Sequence, residues 1–589
     1  MFNLAMRQVA RYRGSLSIIF LSTALILIAL RWMGFDLRLL GTSYIGSGGD
    51  TFANSWTIFQ AMDNLLRRPT ELGYSTIFFG EPNSFSYTIA PYAIALVSLP
   101  TYLLSGGNLI LTYNLYWIAT FVLTAWTGYL LAQYLLKAPI GIACVVGILI
   151  SFAQFRFLHS GHVETLSFQF LLLSLYCLHR LIDKPRLGWA LALAASFWLT
   201  LMASGYLGIY FVLCGVVIIS YVLLKLAPRP RRDLFRMLMI AGNIGAVACL
   251  PFLLIRTARI GVTYEEFVQF SATPRDWFLG TSQIYTGVLP YRDEVTLFLG
   301  FTPILLAFAG WRWRNDLLSV VMNTSRDSTT SEKRTLSPVE VINLYGILVL
   351  MGYVMTLGPV LRLGTDPIMP APFLWLMQIP GVNALRVPAR FIVITIIGTS
   401  LLCAAALIWL RNRLPPHHYH LVFTGVCALL LIELTPFNGN STKMLLQRSV
   451  PPALGVLETQ PYTPPIINEW LKYQPTNTPI FHFPDGPHRN EIFTYLMWQS
   501  YHNQPMLNGY GSLAPAWFGT FAWTDFPNAS TLTFLIKRNI RYVLIHTNFM
   551  TPVERTLFDQ RVASAEVASQ LKYKEQVGEV LIYEVTANP

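Results

Sequence analysis

The sequence predicts an α-helical polytopic membrane protein of about eleven transmembrane helices, followed by a small extracytoplasmic α/β domain at the C-terminal end. Of its 589 residues, 53% are hydrophobic and only 12% are charged, whereas soluble domains carry about a quarter charged residues. Because hydrocarbon cannot satisfy a free backbone amide, a spanning segment must be a helix or part of a closed barrel. The stretches 17–30 and 140–150 are continuously apolar rather than alternating, which favours helices.

Basic residues are concentrated in short segments between the apolar stretches, at 7–13, 180–186 and 225–236. An excess of Lys and Arg is typical of cytoplasmic loops. The formal net charge of +12 is therefore interpreted as a topology signal, and nucleic acid is not expected as a partner. The first apolar stretch has no small-residue cleavage site, which indicates a retained anchor rather than a signal peptide.

Charge and hydropathy together predict a cytoplasmic N-terminus and a C-terminal domain on the outer side of the membrane. The stretch 86–104 is interrupted by Pro91 and Pro100, and counting it as a span would place 229–236 outside, so we predict that it lies along the membrane surface. The predicted spans are 15–31, 108–136, 138–157, 164–180, 187–203, 206–225, 235–256, 296–311, 340–358, 390–410 and 419–436.

Composition changes near residue 438, where charges become frequent and the long apolar stretches end. We therefore divide the chain into a membrane domain, 1–437, and an extracytoplasmic domain, 438–589. Alternating apolar residues predict strands at 478–484 and 540–546, and helical periodicity predicts helices at 465–473 and 529–539. A helix that leads into a strand is typical of a small α/β domain.

Asp50 stands in the first outer loop, in the sequence GSGGDTFANSW. Glycines allow the backbone to approach a ligand closely, and the carboxylate can serve as a general base or a metal ligand. The alternative is helix capping, since Asp is favoured where a helix begins. The two roles are compatible.

His159, His162 and Glu164 lie within six positions in the short outer loop FLHSGHVE. Two imidazoles and a carboxylate at a membrane boundary suit a divalent cation or acid–base work on a headgroup. The alternative is ordinary interfacial hydrogen bonding, with Glu164 offsetting the dipole at a helix start.

Arg386 and Arg390 lie in LRVPARF, just before the tenth predicted span. Paired guanidinium groups at the outer headgroup level suit a phosphate or pyrophosphate, and anchoring to lipid headgroups is the alternative. In the preceding outer loop, Glu265 and Glu266 are interleaved with aromatic residues, a mixture that suits sugar binding and is also common at membrane interfaces.

The order of these parts resembles the GT-C superfamily of glycosyltransferases that use polyprenyl-phosphate sugars. Its members share a long first outer loop with a catalytic acid, a short second outer loop with acidic or metal-binding residues, and often a C-terminal outer domain. Asp50 matches the first-loop acid, His159, His162 and Glu164 occupy the second-loop position, and LRVPARF is similar to an element of bacterial members. The likeness covers chiefly residues 1–260. A single Asp50 replaces the Asp-Glu pair of the protein mannosyltransferases.

The resemblance implies transfer of a sugar from a polyprenyl-phosphate donor to a glycan, lipid or protein acceptor, at the outer face of a bacterial cytoplasmic membrane. It implies that Asp50 is the general base of an inverting reaction and that Arg386 and Arg390 hold the phosphate. His159, His162 and Glu164 would orient the acceptor or bind a divalent cation. We find no Gly-x-Gly-x-x-Gly or Walker pattern, so no nucleotide cofactor is expected.

Two other functions fit the same pattern. A lipid flippase or transporter would need ionisable residues in the middle of its spans, whereas most of those here lie at the outer ends. A non-catalytic envelope-assembly protein would keep the fold and bind partners through its C-terminal domain. Sequence alone hardly separates that alternative from an enzyme.

Overall fold

Helices occupy all eleven positions where the sequence predicts membrane spans. The computed structural model describes residues 2–46, 48–254, 262–280, 284–285, 294–295, 297–316, 335–379, 382, 385–436, 465–486, 489–511, 514–518 and 523–586. Contacts divide the chain into two compact units. The first unit comprises Met1–Leu40, Asn114–Ala248 and Ile260–Thr459, and the second comprises Gly41–Tyr113, Cys249–Arg259 and Gln460–Pro589.

Within the described residues, eight helices are long and apolar enough to cross a membrane. These segments are Tyr12–Trp32, Leu109–Leu136, Ile140–Leu158, Gly205–Leu223, Pro228–Leu254, Pro338–Thr356, Pro388–Arg413 and Pro416–Leu434. Shorter helices stand at the other three predicted positions: Phe168–Asp183, Leu187–Ala203 and Phe301–Arg312. The prediction of a helical membrane protein is therefore confirmed.

The stretch 86–104 contains the helix Tyr92–Leu104, which has 13 residues. A transmembrane helix needs about 20 residues, so this helix is shorter than a full span, as is Phe301–Arg312 with 12 residues. Further short helices of the described chain are Gln154–Leu158, Tyr264–Gln269 and Phe373–Leu376. The helix Gly48–Arg67 follows the first span.

The helix Ile392–Arg413 lies at the centre of the first unit, and its residues from Ile392 to Leu407 are buried without interruption. The helices Phe301–Arg312 and Pro338–Thr356 pack against it. A glycine permits the first of these contacts, because a Cβ atom on Gly310 would lie 2.0 Å from the carbonyl oxygen of Leu402. Small residues at helix crossings are typical of membrane proteins. This packing fixes the end of the central helix from which Arg390 projects.

The first unit also contains a two-stranded antiparallel hairpin, β1 (Val360–Leu363) and β2 (Asp366–Pro370). It lies between the helix that ends at Thr356 and the span that begins at Pro388.

The second unit is built on a four-stranded mixed sheet in the order β3–β4–β6–β5. Its strands are β3 (Ile480–Phe483), β4 (Tyr542–His546), β5 (Leu571–Val577) and β6 (Val580–Val585). Strands β3 and β4 are parallel, and the remaining pairs are antiparallel. Its helices are Ile466–Lys472, Glu491–His502, Ala529–Lys537, Pro552–Val562 and Ala565–Gln570. The predicted C-terminal strands and helices are therefore confirmed.

Residues of the first loop belong to this second unit. The backbone N–H of Met506 donates to the carbonyl of Thr76 (2.7 Å), and the N–H of Phe79 donates to the carbonyl of Met506 (3.1 Å). The helix Gly48–Arg67 packs against Glu491–His502. The predicted domain boundary at residue 438 lies outside the described residues, but the first loop groups with the C-terminal segment rather than with the spans.

Candidate functional site

The loop between helices Gln154–Leu158 and Phe168–Asp183 is held in a series of tight turns. The N–H of His162 donates to the carbonyl of His159, and the N–H of Thr165 donates to the carbonyl of His162, both at 2.9 Å. The indole of Trp117 donates to the carbonyl of Ser160 (2.9 Å). The buried guanidinium of Arg156 donates to the carbonyl of Leu166 (3.0 Å). These contacts fix the loop as a rigid support for its side chains.

Glu294 joins this loop to the start of the central helix. Its carboxylate accepts two hydrogen bonds from Arg390, at 2.7 and 3.0 Å, and lies 2.8 Å from Nε2 of His159. A bidentate guanidinium–carboxylate contact fixes both position and orientation. Glu294, Arg390 and His159 therefore form one connected charged cluster.

His162 is the most accessible side chain of the loop cluster, with 24% of its surface exposed. Its Nδ1 lies 3.5 Å from Glu164, and its Nε2 lies 4.0 Å from Glu294. The imidazole thus lies between two carboxylates. Oε2 of Glu164 is buried and has no hydrogen-bond partner among the described residues. That oxygen can accept a hydrogen bond from a group that enters beside His162.

Both carboxylates remain ionised in spite of their burial. Burial alone would raise the pKa of Glu294, but Arg390 and His159 outweigh this effect and hold the pKa well below its usual range. Burial also opposes ionisation of Glu164, and contact with His162 together with the charge of Arg390 lowers its pKa. The cluster therefore presents two negative charges against one guanidinium and two imidazoles.

Arg386 and Arg390 have different surroundings. Arg390 is buried, makes both of its short contacts with Glu294, and lies 3.4 Å from the hydroxyl of Thr165. Arg386 is exposed, and its guanidinium lies 5.2 Å from the ring centroid of Phe270. Pro388 begins a short 3-10 turn before the helix. Only Arg386 thus presents an exposed guanidinium from this segment.

The sequence suggested a divalent cation at His159, His162 and Glu164. Across the described ranges, no group of three or more His, Cys, Asp and Glu side chains is arranged to hold a metal ion. His159 gives both ring nitrogens to protein atoms, since Nδ1 lies 2.9 Å from the carbonyl of Phe155. In this arrangement, His159, His162 and Glu164 do not form a metal-binding site.

Asp50 lies in the first turn of the helix Gly48–Arg67, in the second unit. It is therefore inside the helix rather than at the cap position, where its carboxylate still interacts favourably with the helix dipole. The phenol of Tyr510 donates a hydrogen bond to its Oδ1. The C-terminal segment thus contributes a side chain to the surroundings of Asp50.

Asn508 anchors the segment that carries Tyr510. Its side chain makes two 2.8 Å hydrogen bonds with the backbone of His482 in strand β3, one in each direction. Its carbonyl accepts from the N–H of Phe78 (3.2 Å). The ring of Tyr510 packs against Phe493, with centroids 4.7 Å apart. Tyr510 is therefore held firmly beside Asp50.

Glu265 and Glu266 lie on the short helix Tyr264–Gln269. Glu266 forms a capping box with Thr263, in which its carboxylate accepts from the backbone N–H of Thr263 (3.0 Å). This contact explains Glu266 as a structural residue. Glu265 is exposed in the first turn, and the role of Glu265 and Glu266 in sugar binding remains a prediction.

Glu294 and Tyr510 were not predicted. Glu294 directly precedes an apolar stretch in the sequence PYRDEVTLF, and an acidic residue at a membrane boundary is a usable signal. Tyr510 lies in LNGYGS, whose polar and aromatic residues show no nucleophile–base pattern. Its partner lies 460 positions away, so local sequence gives no sign of the contact.

Comparison with known proteins supports the fold. No protein-family model and no curated protein matches the sequence. The cryo-EM structure of arabinofuranosyltransferase AftD from Mycobacteria is similar, with a TM-score of 0.57 and 15% identity, over 97% of this chain and 40% of that chain. This chain thus spans about two fifths of the length of AftD.

The apo oligosaccharyltransferase of Archaeoglobus fulgidus is similar over 90% of this chain and 69% of that chain, with 13% identity. Its TM-score of 0.42 is too low to support an argument. At 15% identity, the AftD likeness establishes architecture and not activity. Over nearly its whole length, this chain has the fold of that mycobacterial arabinofuranosyltransferase.

Proposed function

We propose that the protein transfers a sugar from a polyprenyl-phosphate-linked donor to an acceptor hydroxyl, with inversion at the anomeric carbon. The proposal includes a cytoplasmic N-terminus and a reaction at the outer face of a bacterial cytoplasmic membrane. The acceptor belongs to a glycan, a lipid or a protein. The observation that carries the proposal is the cluster of Glu294, Arg390 and His159, with His162 partly exposed beside it.

Buried ionisable groups near a membrane are costly, and in membrane proteins they usually mark a functional site. A hydrophobic replacement for a buried ion pair is often as stable or more stable. Stability alone therefore does not account for this cluster. His159 and His162 lie in the second outer loop, where members of the GT-C superfamily, which this chain resembles, carry acidic or metal-binding residues.

Asp50 is the proposed general base. Its carboxylate takes the proton of the acceptor hydroxyl as that oxygen attacks the anomeric carbon. The new bond joins the acceptor oxygen to the anomeric carbon. The bond from that carbon to the donor phosphate breaks, and its electron pair leaves with the polyprenyl phosphate. Attack opposite to the leaving group inverts the anomeric configuration, and a base positioned within hydrogen-bond reach accelerates this step.

The residues of the cluster divide into two roles. Arg390 has its short contacts with Glu294, so we assign it to positioning rather than to the phosphate contact suggested by sequence. Exposed Arg386 is the better phosphate ligand. His162, with the unpartnered oxygen of Glu164 nearby, is suited to hydrogen bonding with polar substrate groups. Glu294 and His159 hold this arrangement in place.

The proposal is tested by glycosyl transfer with the purified full-length protein in nanodiscs. The donor panel contains polyprenyl phosphates that carry different sugars, and release of polyprenyl phosphate is measured with and without a chelator. Asp50→Asn should abolish turnover because the amide cannot take the proton. Glu71→Gln is the matched control, since it neutralises an exposed carboxylate of the same unit.

Turnover that is lost in Asp50→Asn and kept in Glu71→Gln supports the transferase and its base. Turnover that survives in Asp50→Asn removes this residue from the mechanism. If folded protein releases no sugar from any donor, the transferase is wrong, and a flippase or a non-catalytic assembly role takes its place. Loss of turnover with chelator would show that the reaction requires a divalent cation, as the sequence suggested.

A further inference from the structure

The hairpin β1–β2 and the segment after it carry an unusual number of exposed apolar side chains. Leu363, Ile368 and Met369 project from the hairpin, and Trp375 and Ile379 project from the segment that follows. Trp375 has 67% of its surface exposed. An accumulation of large exposed apolar side chains often marks a surface that contacts a membrane or another protein. We call these five side chains the hairpin patch.

Charge is nearly absent from this part of the chain. Between Thr356 and Arg386 the sequence contains only two ionisable side chains, Arg362 and Asp366. The guanidinium of Arg362 is turned inward, where it donates to the carbonyls of Val268 (2.6 Å) and Ser271 (3.0 Å). Asp366, near the turn, is the one ionisable residue of the hairpin that is exposed.

The base of the hairpin is fixed at the ends of two membrane helices. The N–H of Ala371 donates to the carbonyl of Pro359 (2.9 Å), three residues beyond the helix that ends at Thr356. Phe373 is buried and lies edge-on to Phe391, at the start of the central span, with ring centroids 5.9 Å apart. The hairpin is therefore attached directly at the ends of two membrane helices.

We propose that the hairpin patch lies in the interfacial layer of the bilayer, with its apolar side chains among the lipid headgroups and the first acyl carbons. Bilayer lipid is the occupant because the hairpin is attached at the ends of two membrane helices and its patch includes a tryptophan, a residue enriched at membrane–water interfaces. A two-stranded hairpin also has unpaired backbone groups at both edges. Such edges exclude it from the hydrocarbon core but not from the hydrated interface.

A shallow cleft beneath the hairpin agrees with this placement. Its volume is about 220 Å³, and its lining is mainly apolar, with Tyr264, Val360, Ile368 and Leu374 among the contributing residues. The cleft can accept the upper part of an acyl chain. The role of the hairpin would be to fix the depth and tilt of the central span, whose first turn carries Arg390. This inference is independent of the proposed transferase activity.

The test measures the solvent around single labelled sites in the full-length protein. Spin labels are attached to Ile368→Cys and Met369→Cys in nanodiscs of phosphatidylcholine and phosphatidylglycerol, in a Cys427→Ser background because the other native thiols are buried. Power saturation compares collision with lipid-soluble oxygen and with a water-soluble nickel chelate. Tyr473→Cys is the control, since Tyr473 is highly exposed on the second unit.

We expect labels at Ile368 and Met369 to collide severalfold more with oxygen, relative to nickel, than the label at Tyr473. Equal ratios at all three positions would show that the hairpin stands in water and would overturn the proposal. Protection from both reagents would also overturn it, because a protein surface would then cover the patch. Both hairpin positions are exposed, so the substitutions leave the folded core untouched.

Discussion

The phenol of Tyr510 donates a hydrogen bond of 3.2 Å to Oδ1 of Asp50, although the two residues are 460 positions apart in the chain. Asp50 comes from the first loop, and Tyr510 comes from the C-terminal segment that follows strand β3. A hydrogen bond from a phenol fixes the position of the carboxylate oxygen that accepts it. The C-terminal segment therefore contributes directly to the surroundings of the proposed base.

If Tyr510 positions Asp50, Tyr510→Phe should lower kcat by roughly 10- to 100-fold, since a hydrogen bond to a charged group contributes about 1.5–3 kcal/mol. KM for the donor should change little. The double variant Asp50→Asn/Tyr510→Phe should be no slower than Asp50→Asn alone, because residues that act as a unit are not additive. A further loss in the double variant would mean that Tyr510 acts elsewhere. Tyr573→Phe, on the exposed strand β5, is the control.

Glu294→Gln should destabilise the first unit by about 3–5 kcal/mol, the usual cost of leaving a buried guanidinium without its partner. The measurement is the thermal unfolding midpoint in detergent. Adding Arg390→Met should recover part of the loss, because the unpaired charge is then removed as well. Glu265→Gln, which changes an exposed carboxylate, should leave the midpoint unchanged. An unchanged midpoint in Glu294→Gln would show that the ion pair does not form.

Gly49→Ala tests the contact between the first-loop helix and the C-terminal helix Glu491–His502. A Cβ atom on Gly49 would lie 2.0 Å from the ring of Phe493, well inside van der Waals contact. We expect a lower unfolding midpoint and, because Asp50 is the next residue, lower turnover. Gly49→Ala combined with Phe493→Ala should restore part of the turnover by removing the clash. A fully active Gly49→Ala protein would contradict the packing.

Buried histidines should make the second unit sensitive to acid. Burial lowers the pKa of His482 to about 3 and holds those of His502 and His546 well below the usual value. The unfolded chain titrates near 6.5, so it binds more protons than the folded chain between pH 3 and 6.5. Stability therefore rises with pH across this window and is lost as pH falls.

Asp485 works in the opposite direction. Burial raises its pKa to about 7, so the folded state binds the extra proton from about pH 4 to 7, and this contribution to stability falls as pH rises. The effect of three histidines on stability is larger than the opposite effect of one carboxyl group. The thermal unfolding midpoint should therefore fall as the pH is lowered from 6.5 to 4. Asp485→Asn should steepen that fall. A midpoint independent of pH would contradict the burial of these rings.

Hydropathy was sufficient to predict the helices of the first unit because each span satisfies its backbone hydrogen bonds internally and is apolar along its own length. Spans such as 390–410 and 419–436 therefore appear as local patterns, and the same holds for strands β3 and β4. The contacts of Glu294 are different in kind. They join Glu294 to Arg390, 96 positions away, and to His159, 135 positions away. Contacts between residues so far apart in the chain leave no local pattern in a single sequence.

The candidate site was therefore predicted only in part. His159, His162, Glu164 and Arg390 were all identified, and three of the four touch Glu294. The sequence did not predict the partner of Arg390. An arginine that contacts a carboxylate and an arginine that binds a phosphate have the same neighbours in the sequence. Arg386 and Arg390 are separated by the 3-10 turn that begins at Pro388, and their guanidinium groups have different surroundings.

The interleaved construction of the second unit has a consequence for biosynthesis. The indole of Trp56 donates to the side chain of Gln499, 443 positions later, and at about 5–20 residues per second the ribosome needs tens of seconds to supply that partner. During this time the spans are inserted, and the helix Gly48–Arg67 lacks the helix against which it packs in the folded protein. A premature stop near residue 460 would thus orphan the helix that bears Asp50, however well the spans themselves had entered the membrane.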